Sequence, residues 1–251
     1  MLSERAYIVT GGSAGFGYTI ARCLIDAGAR VGITGRNQER LDKAAAELGE
    51  HCVAYVADVA DSAAVTAAFT AIKAHFGRLD GLVNNAGLAY PNAIECLVEA
   101  EVVTQINTNF LGTVLCCQAA IPLLRGGDNP RIINISSASA WHYDEMSHLS
   151  IYAASKAAVE RFSRDLYLEL QADGIAVTCL RPGGAWTTFS DGWDPKAIER
   201  GFAAWADRGK YMSTGMEVEQ VADAVVYARR LTEGVAVDLL ELRPNIPTPK
   251  N

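Results

Sequence analysis

Short runs of β-branched and apolar residues alternate along this chain with longer stretches whose apolar positions recur at helical spacing. The runs AYIVT (6–10), RVGIT (30–34), CVAYV (52–56), GLVNN (81–85), RIINIS (131–136), IAVTCL (175–180) and VAVDLLEL (235–242) read as strands. Helices are predicted over 16–27, 38–48, 62–76, 100–124, 151–172 and 217–230. Regular strand-helix alternation gives a parallel sheet, and strands that are apolar throughout are covered by helices on both faces. The expectation is an α/β fold: a doubly wound, seven-stranded, mostly parallel sheet in the order 3-2-1-4-5-6-7. Right-handed crossovers then gather the strand C-terminal ends on one edge, where ligands bind. The least regular stretch, 185–211, mixes Gly, Trp, Asp and Pro around a short helix at 195–207 and reads as a lid over the substrate.

A chain of 251 residues, half of them apolar, suffices for one large core, so one domain spanning 1–251 is expected. The formal net charge of −7 argues against nucleic acid as a partner. No apolar run approaching the roughly 20 residues of a membrane span is evident, and MLSERAYIVTGG enters a strand directly, without a signal peptide. The six cysteines form no C-x-x-C pair and nearly all fall in apolar segments. A reducing cytoplasm is therefore expected, with neither a disulfide framework nor a metal site.

Chemistry begins after the first strand, at Thr10-Gly11-Gly12-Ser13-Ala14-Gly15-Phe16-Gly17 followed by YTIARCLIDAG. Glycines there permit a tight turn, and the helix N-terminus offers free N–H groups and the positive end of its dipole to a pyrophosphate. Glycine clusters also serve as plain strand-to-helix joints, and this spacing is not G-x-G-x-x-G. Its place at the first strand-helix junction favours nucleotide binding. The second strand ends at Thr34-Gly35-Arg36, where dinucleotide folds often carry an acid for the ribose hydroxyls. Gly35 removes that carboxylate, and the planar fork of Arg36 suits a 2′-phosphate, which points to NADP, with NAD possible. The plainer reading leaves Arg36 solvated at the start of a helix capped by Asn37.

Tyr152 and Lys156 lie four apart in SIYAASKAAVERF and share one helix face. A tyrosine titrates near pH ~10, and a neighbouring ammonium favours its phenolate, the condition for a general acid/base. Such a pair alone is more often an ordinary helix face; Ser136-Ser137 at the end of the preceding strand and the glycine turn change that balance.

Taken in order, the motifs resemble those of the short-chain dehydrogenase/reductase family, of single-domain Rossmann-like architecture, over nearly the whole chain. They are TGGSAGFG, Asp58-Val59, Asn84-Asn85-Ala86-Gly87, Asn109 in NFLG, Ser137 in NISS, Tyr152-x-x-x-Lys156, and Pro182-Gly183 with Thr187. The C-terminal VAVDLLELRP is similar to the branch with clavulanate-type and 3-hydroxy acid dehydrogenases. The resemblance implies that Tyr152 protonates a carbonyl oxygen, Ser137 hydrogen-bonds it, Lys156 binds the nicotinamide ribose and tunes Tyr152, and Asn109 holds a water. It also implies that Gly11, Ser13, Ala14, Gly15, Phe16 and Gly17 cradle the cofactor and that Asp58 and Val59 bracket its adenine. Asn85, Ala86 and Gly87 would line the cleft, and Pro182, Gly183, Ala185 and Thr187 would adjoin the carboxamide.

The chain departs from the family pattern in places. Its serine often precedes the tyrosine by thirteen residues; Ser137 precedes Tyr152 by fifteen, leaving Ser139 as a rival. Phe16 replaces a smaller aliphatic, and Ser13 and Ala14 lack the basic residue of some NADP-using members. The loop 141–150 brings His142, Tyr143, Asp144, Glu145 and His148 near the edge, but Trp141, Trp186 and Trp193 are the stronger substrate candidates, implying an apolar or aromatic-friendly pocket. The small-molecule partner would be a carbonyl or secondary alcohol, and the apolar helices at 108–124 and 153–172 suggest a homodimer or homotetramer. A non-catalytic NADP-binding sensor or scaffold remains the alternative.

Overall fold

In the computed structural model, which describes residues 4–142, 147–185, 187–190, 193–208 and 215–245, the seven strands form one sheet. They are β1 (Ala6–Thr10), β2 (Arg30–Gly35), β3 (Cys52–Val56), β4 (Gly81–Asn84), β5 (Arg131–Ile135), β6 (Ala176–Pro182) and β7 (Leu239–Leu242). Their order is β3-β2-β1-β4-β5-β6-β7, as expected, and all six pairings are parallel rather than mostly so. The helices are α1 (Gly15–Asp26), α2 (Gln38–Leu48), α3 (Ser62–Phe76), α4 (Glu99–Ile106), α5 (Gly112–Leu124), α6 (Ser150–Leu170), α7 (Pro195–Arg208) and α8 (Val218–Arg230).

Period-two alternation divides the central strands between two cores. Tyr7 and Val9 of β1 join Ile20 and Leu24 of α1 and Val225 of α8, while Ala6 and Ile8 join Phe69 and Ile72 of α3 and Cys117 of α5. Both faces are buried, hence the unbroken apolar strands. Helix starts are fixed locally: Asn37 accepts from the Arg40 N–H at 2.8 Å, and Asp61 accepts from Ala63 and Ala64 at 2.9 and 3.1 Å. Each such cap is worth about 1 kcal/mol.

The structure corrects three expectations. The helix predicted over 100–124 is interrupted by one π-helical turn, Asn107–Leu111. The last strand is confined to Leu239–Leu242, because Gly234 at φ 78° and the Val235 N–H bonded to the Thr232 carbonyl turn the chain just before it. Finally, the continuous helical stretch Glu99–Leu124 is, by length and composition alone, apolar enough to cross a membrane. Here it packs on β4, β5, α3 and α6 and buries the polar side chains of Gln105, Asn109 and Thr113.

Candidate active site

The C-terminal edge of the sheet carries the glycine turn between β1 and α1. Gly15 has φ 54°, a left-handed conformation that suits glycine, and a side chain there would meet nothing within 4 Å, so the turn faces open space. Gly17 is constrained the opposite way, since a Cβ would stand 2.3 Å from the Gly11 carbonyl oxygen and 2.5 Å from Asn85 Nδ2. Ala14, the residue before α1, provides no side-chain cap, so the first-turn N–H groups beside Gly15, Phe16 and Gly17 are available to an anion. The Phe16 ring packs on the core, as its aliphatic counterpart would. Asn85 turns its amide to the Thr10 and Gly11 carbonyls at 2.9 and 3.4 Å, bracing the turn from β4. The Asn85 and Ala86 N–H groups both donate to Thr10 Oγ1 at 3.0 Å.

At the end of β2, the Ser13 hydroxyl lies 3.7 Å from where a side chain on Gly35 would begin. Arg36 is exposed, with no ion pair among the described residues, directly before the Asn37 cap. Asp58 accepts from the Ala60 N–H at 2.9 Å, and the buried Val59 packs so tightly on Gly112 that a Cβ there would lie 2.6 Å from it. An open glycine turn, an uncapped helix and an unpaired guanidinium beyond β2 fit a phosphorylated dinucleotide.

The sequence-predicted catalytic residues converge beside this turn. Ser137, the last residue before a single 3-10 turn (Ala138–Ala140), brings its side chain to the Tyr152 phenol. Ser139 instead donates its hydroxyl to Ser137 Oγ at 3.0 Å. Burial pushes the Tyr152 phenol up to about 12, against the Ser137 hydrogen bond that lowers it. Lys156 is buried, and its desolvation pulls the ammonium down to about 8. Its Nζ donates to the Ile135 carbonyl at 2.8 Å, lies 5.8 Å from the Tyr152 ring centre and is 3.3 Å from where a Gly87 side chain would begin.

Asn109, fully buried, sits in the π-helical turn, a local widening often found at functional sites. Its amide donates to the Leu88 carbonyl (2.8 Å) and Ser155 Oγ (3.0 Å), and its oxygen accepts from the Leu88 N–H (2.9 Å). Ser155 donates in turn to the Tyr152 carbonyl at 2.7 Å, so Asn109 clamps the helix turn that carries the phenol.

On the far side, Pro182 ends β6, and Gly183 donates its N–H to the Leu242 carbonyl at 2.8 Å. Ala185 pairs with Met216, and Thr187 Oγ1 accepts from the Phe189 N–H at 3.2 Å. Trp193 packs with Tyr152 against Ala89, Leu149 and Trp205. Trp141, 59% exposed, stays out of this cluster and stacks under the Arg181 guanidinium at 5.6 Å. Trp186, Tyr143, Asp144 and Glu145 lie outside the described residues.

The sequence reading overlooked an ion-pair chain behind the serine. Ser136 Oγ donates to Glu160 (2.8 Å) and lies 3.3 Å from the Lys156 carbonyl oxygen. Arg181 grips Glu160 at 2.7 and 2.5 Å and reaches Glu241 at 2.7 Å, and Glu241 meets His142 Nε2 at 2.7 Å. The available signal was the spacing of Glu160, four residues beyond Lys156 and eight beyond Tyr152 on one helix face.

A profile described as short chain dehydrogenase matches residues 5–197. The chain belongs to the short-chain dehydrogenase family. It is 36% identical over 245 residues to sulfoacetaldehyde reductase 2 of Chromohalobacter salexigens, covering 94% of this chain and 93% of that one. It is 31% identical over 243 residues to an uncharacterized oxidoreductase of Staphylococcus epidermidis, with 97% and 98% covered. Among solved structures, the closed form of a serine dehydrogenase complexed with NADP+ matches with a TM-score of 0.83 at 32% identity, covering 95% of this chain and 94% of that one. An alcohol dehydrogenase from Thermococcus sibiricus, complexed with 5-hydroxy-NADP, matches with a TM-score of 0.82 at 26% identity, covering 98% and 99%. This short-chain dehydrogenase is thus an oxidoreductase acting on a small molecule.

Proposed function

We propose that the enzyme transfers a hydride between NADP(H) and a ketone, aldehyde or secondary alcohol, with Tyr152 as general acid/base. The observation that carries this reading is the convergence of Ser137, Tyr152 and the buried Lys156 ammonium beside the glycine turn and Gly87. The cofactor supplies or accepts the hydride at its nicotinamide. Gly11, Ser13, Ala14, Gly15, Phe16 and Gly17 cradle its pyrophosphate through backbone N–H groups and the helix dipole, and Arg36 faces the 2′-phosphate. The NADP-bound neighbours support that preference. Asp58 and Val59 flank the adenine, Asn85, Ala86 and Gly87 form the cleft floor, Lys156 meets the ribose, and Pro182, Gly183, Ala185 and Thr187 border the carboxamide.

During reduction, negative charge grows on the carbonyl oxygen, and Tyr152 delivers its proton there while Ser137 donates a hydrogen bond to the same atom. Asn109 holds the backbone of Tyr152 in place through Ser155, and its remaining lone pair is the acceptor for a relay water. Residues 1–251 act as one unit, and the segment 185–211 is the substrate lid, with Trp193 on the substrate side beside Tyr152. Exposed Val103, Ile106 and Leu111 on the long helix and Leu168 on α6 support a homodimer or homotetramer, and the free thiols of all six cysteines suit the cytoplasm.

Absorbance at 340 nm tests the reaction. NADPH is oxidised with a carbonyl panel, and Tyr152→Phe loses at least about 100-fold of that rate. An unchanged rate in that variant removes Tyr152 from the chemistry, and tight NADPH binding without turnover would favour a sensor. Arg36→Glu weakens NADPH binding about tenfold or more and leaves NADH nearly unaffected; equal losses would remove Arg36 from the cofactor site.

A further inference from the structure

A chain of aromatic rings runs from the phenol of Tyr152 into the lid. Phe189 lies 5.4 Å from the Tyr152 ring and 5.9 Å from Trp193; Trp193 lies 6.4 Å from Trp205, and Trp205 lies 5.3 Å from Phe202. All of these separations are within the range in which tilted and edge-to-face rings attract. We propose that this wall selects substrates whose reacting carbonyl or carbinol carbon bears an aromatic ring, and that Phe189 is its specificity-determining member. The proposal rests on the hydride-transfer reading and names the substrate class for that site.

The wall is fixed at Trp205. Trp205 is 3% exposed, donates its indole N–H to the Ser147 carbonyl at 2.6 Å and packs on Ala89 and Leu149, beside β4 and at the start of α6. Phe189, the ring next to Tyr152, keeps 38% of its surface exposed while standing over the catalytic phenol. The Phe189 N–H is tied to Thr187 Oγ1, the residue assigned to the carboxamide, while its ring meets that of the proton donor. A flat apolar group on the reacting carbon would cover that exposed ring face and exclude water from the bond being made.

The described side chains of Ser137, Leu149, Phe189, Trp193 and Trp205 gather around Tyr152, and the Lys156 ammonium beside them is already committed to the Ile135 carbonyl. An aryl ketone would gain ring contacts at this apolar face. Its reduction balances with one hydride from NADPH to carbon and one proton from Tyr152 to oxygen.

The test compares kcat/KM for acetophenone and 2-acetonaphthone with that for butan-2-one and succinic semialdehyde, in the wild-type enzyme and in Phe189→Ala, Phe189→Leu and Trp193→Phe. Wild type favours the aryl ketones by about tenfold or more, and Phe189→Ala brings the ratio within about threefold, with the other two variants intermediate. Equal or better turnover of butan-2-one or succinic semialdehyde by wild type, or an unchanged ratio in Phe189→Ala, overturns the proposal. Calorimetry of 1-phenylethanol with the NADP+-loaded protein separates this failure from that of the wider reading. If no carbonyl is reduced at all, hydride transfer fails, and the wall stands or falls on whether Phe189→Ala weakens 1-phenylethanol binding about tenfold or leaves it equal.

Discussion

Lys156 and Tyr152 lie one helical turn apart, yet the ammonium donates to the Ile135 carbonyl and not to the phenol, 5.8 Å from the ring centre. The sequence expectation that a neighbouring ammonium favours the phenolate is therefore incomplete. In the cofactor-free protein burial dominates, holding the phenol at about 12, and the group that opposes it is the Ser137 hydroxyl. The enzyme accordingly rests with Tyr152 protonated, ready to give a proton to a carbonyl oxygen. Difference absorbance between wild type and Tyr152→Phe should show no Tyr152 phenolate below about pH 10, the ordinary tyrosine value. Ser137→Ala should push its appearance higher still. A phenolate signal with a midpoint below pH ~9 in cofactor-free protein would contradict this account.

Two glycines of one turn should respond to alanine in different ways. Gly15→Ala places its methyl group in open space, so the penalty for folding is the left-handed backbone alone, about 1–2 kcal/mol. Its main effect should be on dinucleotide affinity, because the new group occupies the proposed phosphate path. Gly17→Ala drives a Cβ into the Gly11 carbonyl oxygen, which cannot move without opening the turn, and should lose about 3 kcal/mol of stability. Urea unfolding together with NADPH titration separates the two. Undiminished affinity in Gly15→Ala would place the phosphates elsewhere.

The sheet was readable in the sequence because turn residues bracket short apolar runs whose type does not depend on distant partners. The strands AYIVT and CVAYV therefore appear with their predicted bounds. The C-terminal strand was read too long because Val235 and Val237 have strand propensity, but pairing with β6 begins only at Leu239 opposite Cys179. The π-helical turn at Asn109 has no periodic signature, since it shifts the register of a helix whose residues are ordinary helix formers. At the site, spacing on one helix brought Tyr152 and Lys156 together. The choice between Ser137 and Ser139 needed coordinates, because both precede a loop whose path fixes which hydroxyl reaches the phenol. Phe189 and Trp205 are thirty-seven and fifty-three residues from Tyr152, and only the folding of the lid places them beside it.

The ion-pair chain behind Ser136 should act on catalysis through position. Arg181 is 7% exposed at its side chain and holds two carboxylates, so Arg181→Met takes their shared cation from Glu160 and Glu241 and leaves Glu241 to His142 and Arg243. Breaking a buried pair in this way costs about 3–5 kcal/mol. Glu160 also accepts from Ser136, whose hydroxyl touches the Lys156 carbonyl, so relaxation of the chain moves the segment carrying Ser137 relative to Tyr152. Glu160→Gln, the milder variant, should lower kcat about tenfold while KM changes less than about threefold. Steady-state kinetics at a temperature where the variant is fully folded checks this. A change confined to KM would indicate a substrate contact instead of a positioning role.

The outer end of the same chain sets an acid limit on stability. Burial pushes the Glu241 carboxyl up, but hydrogen bonds from Arg181 and His142 outweigh it and hold the group below its ordinary 4.5. A carboxylate with a depressed folded value binds fewer protons in the native state than in the unfolded one. Its stabilisation is therefore complete above the unfolded value and disappears as pH falls through the folded one. Wild type should lose melting temperature from about pH 4.5 downward more steeply than Glu241→Gln, which has no proton to take up there. Above pH ~6 the variant should be the less stable protein, because an amide cannot replace the charge facing Arg181. Parallel slopes for the two proteins between pH ~5 and ~3.5 would show that this carboxylate is not held ionised by its neighbours.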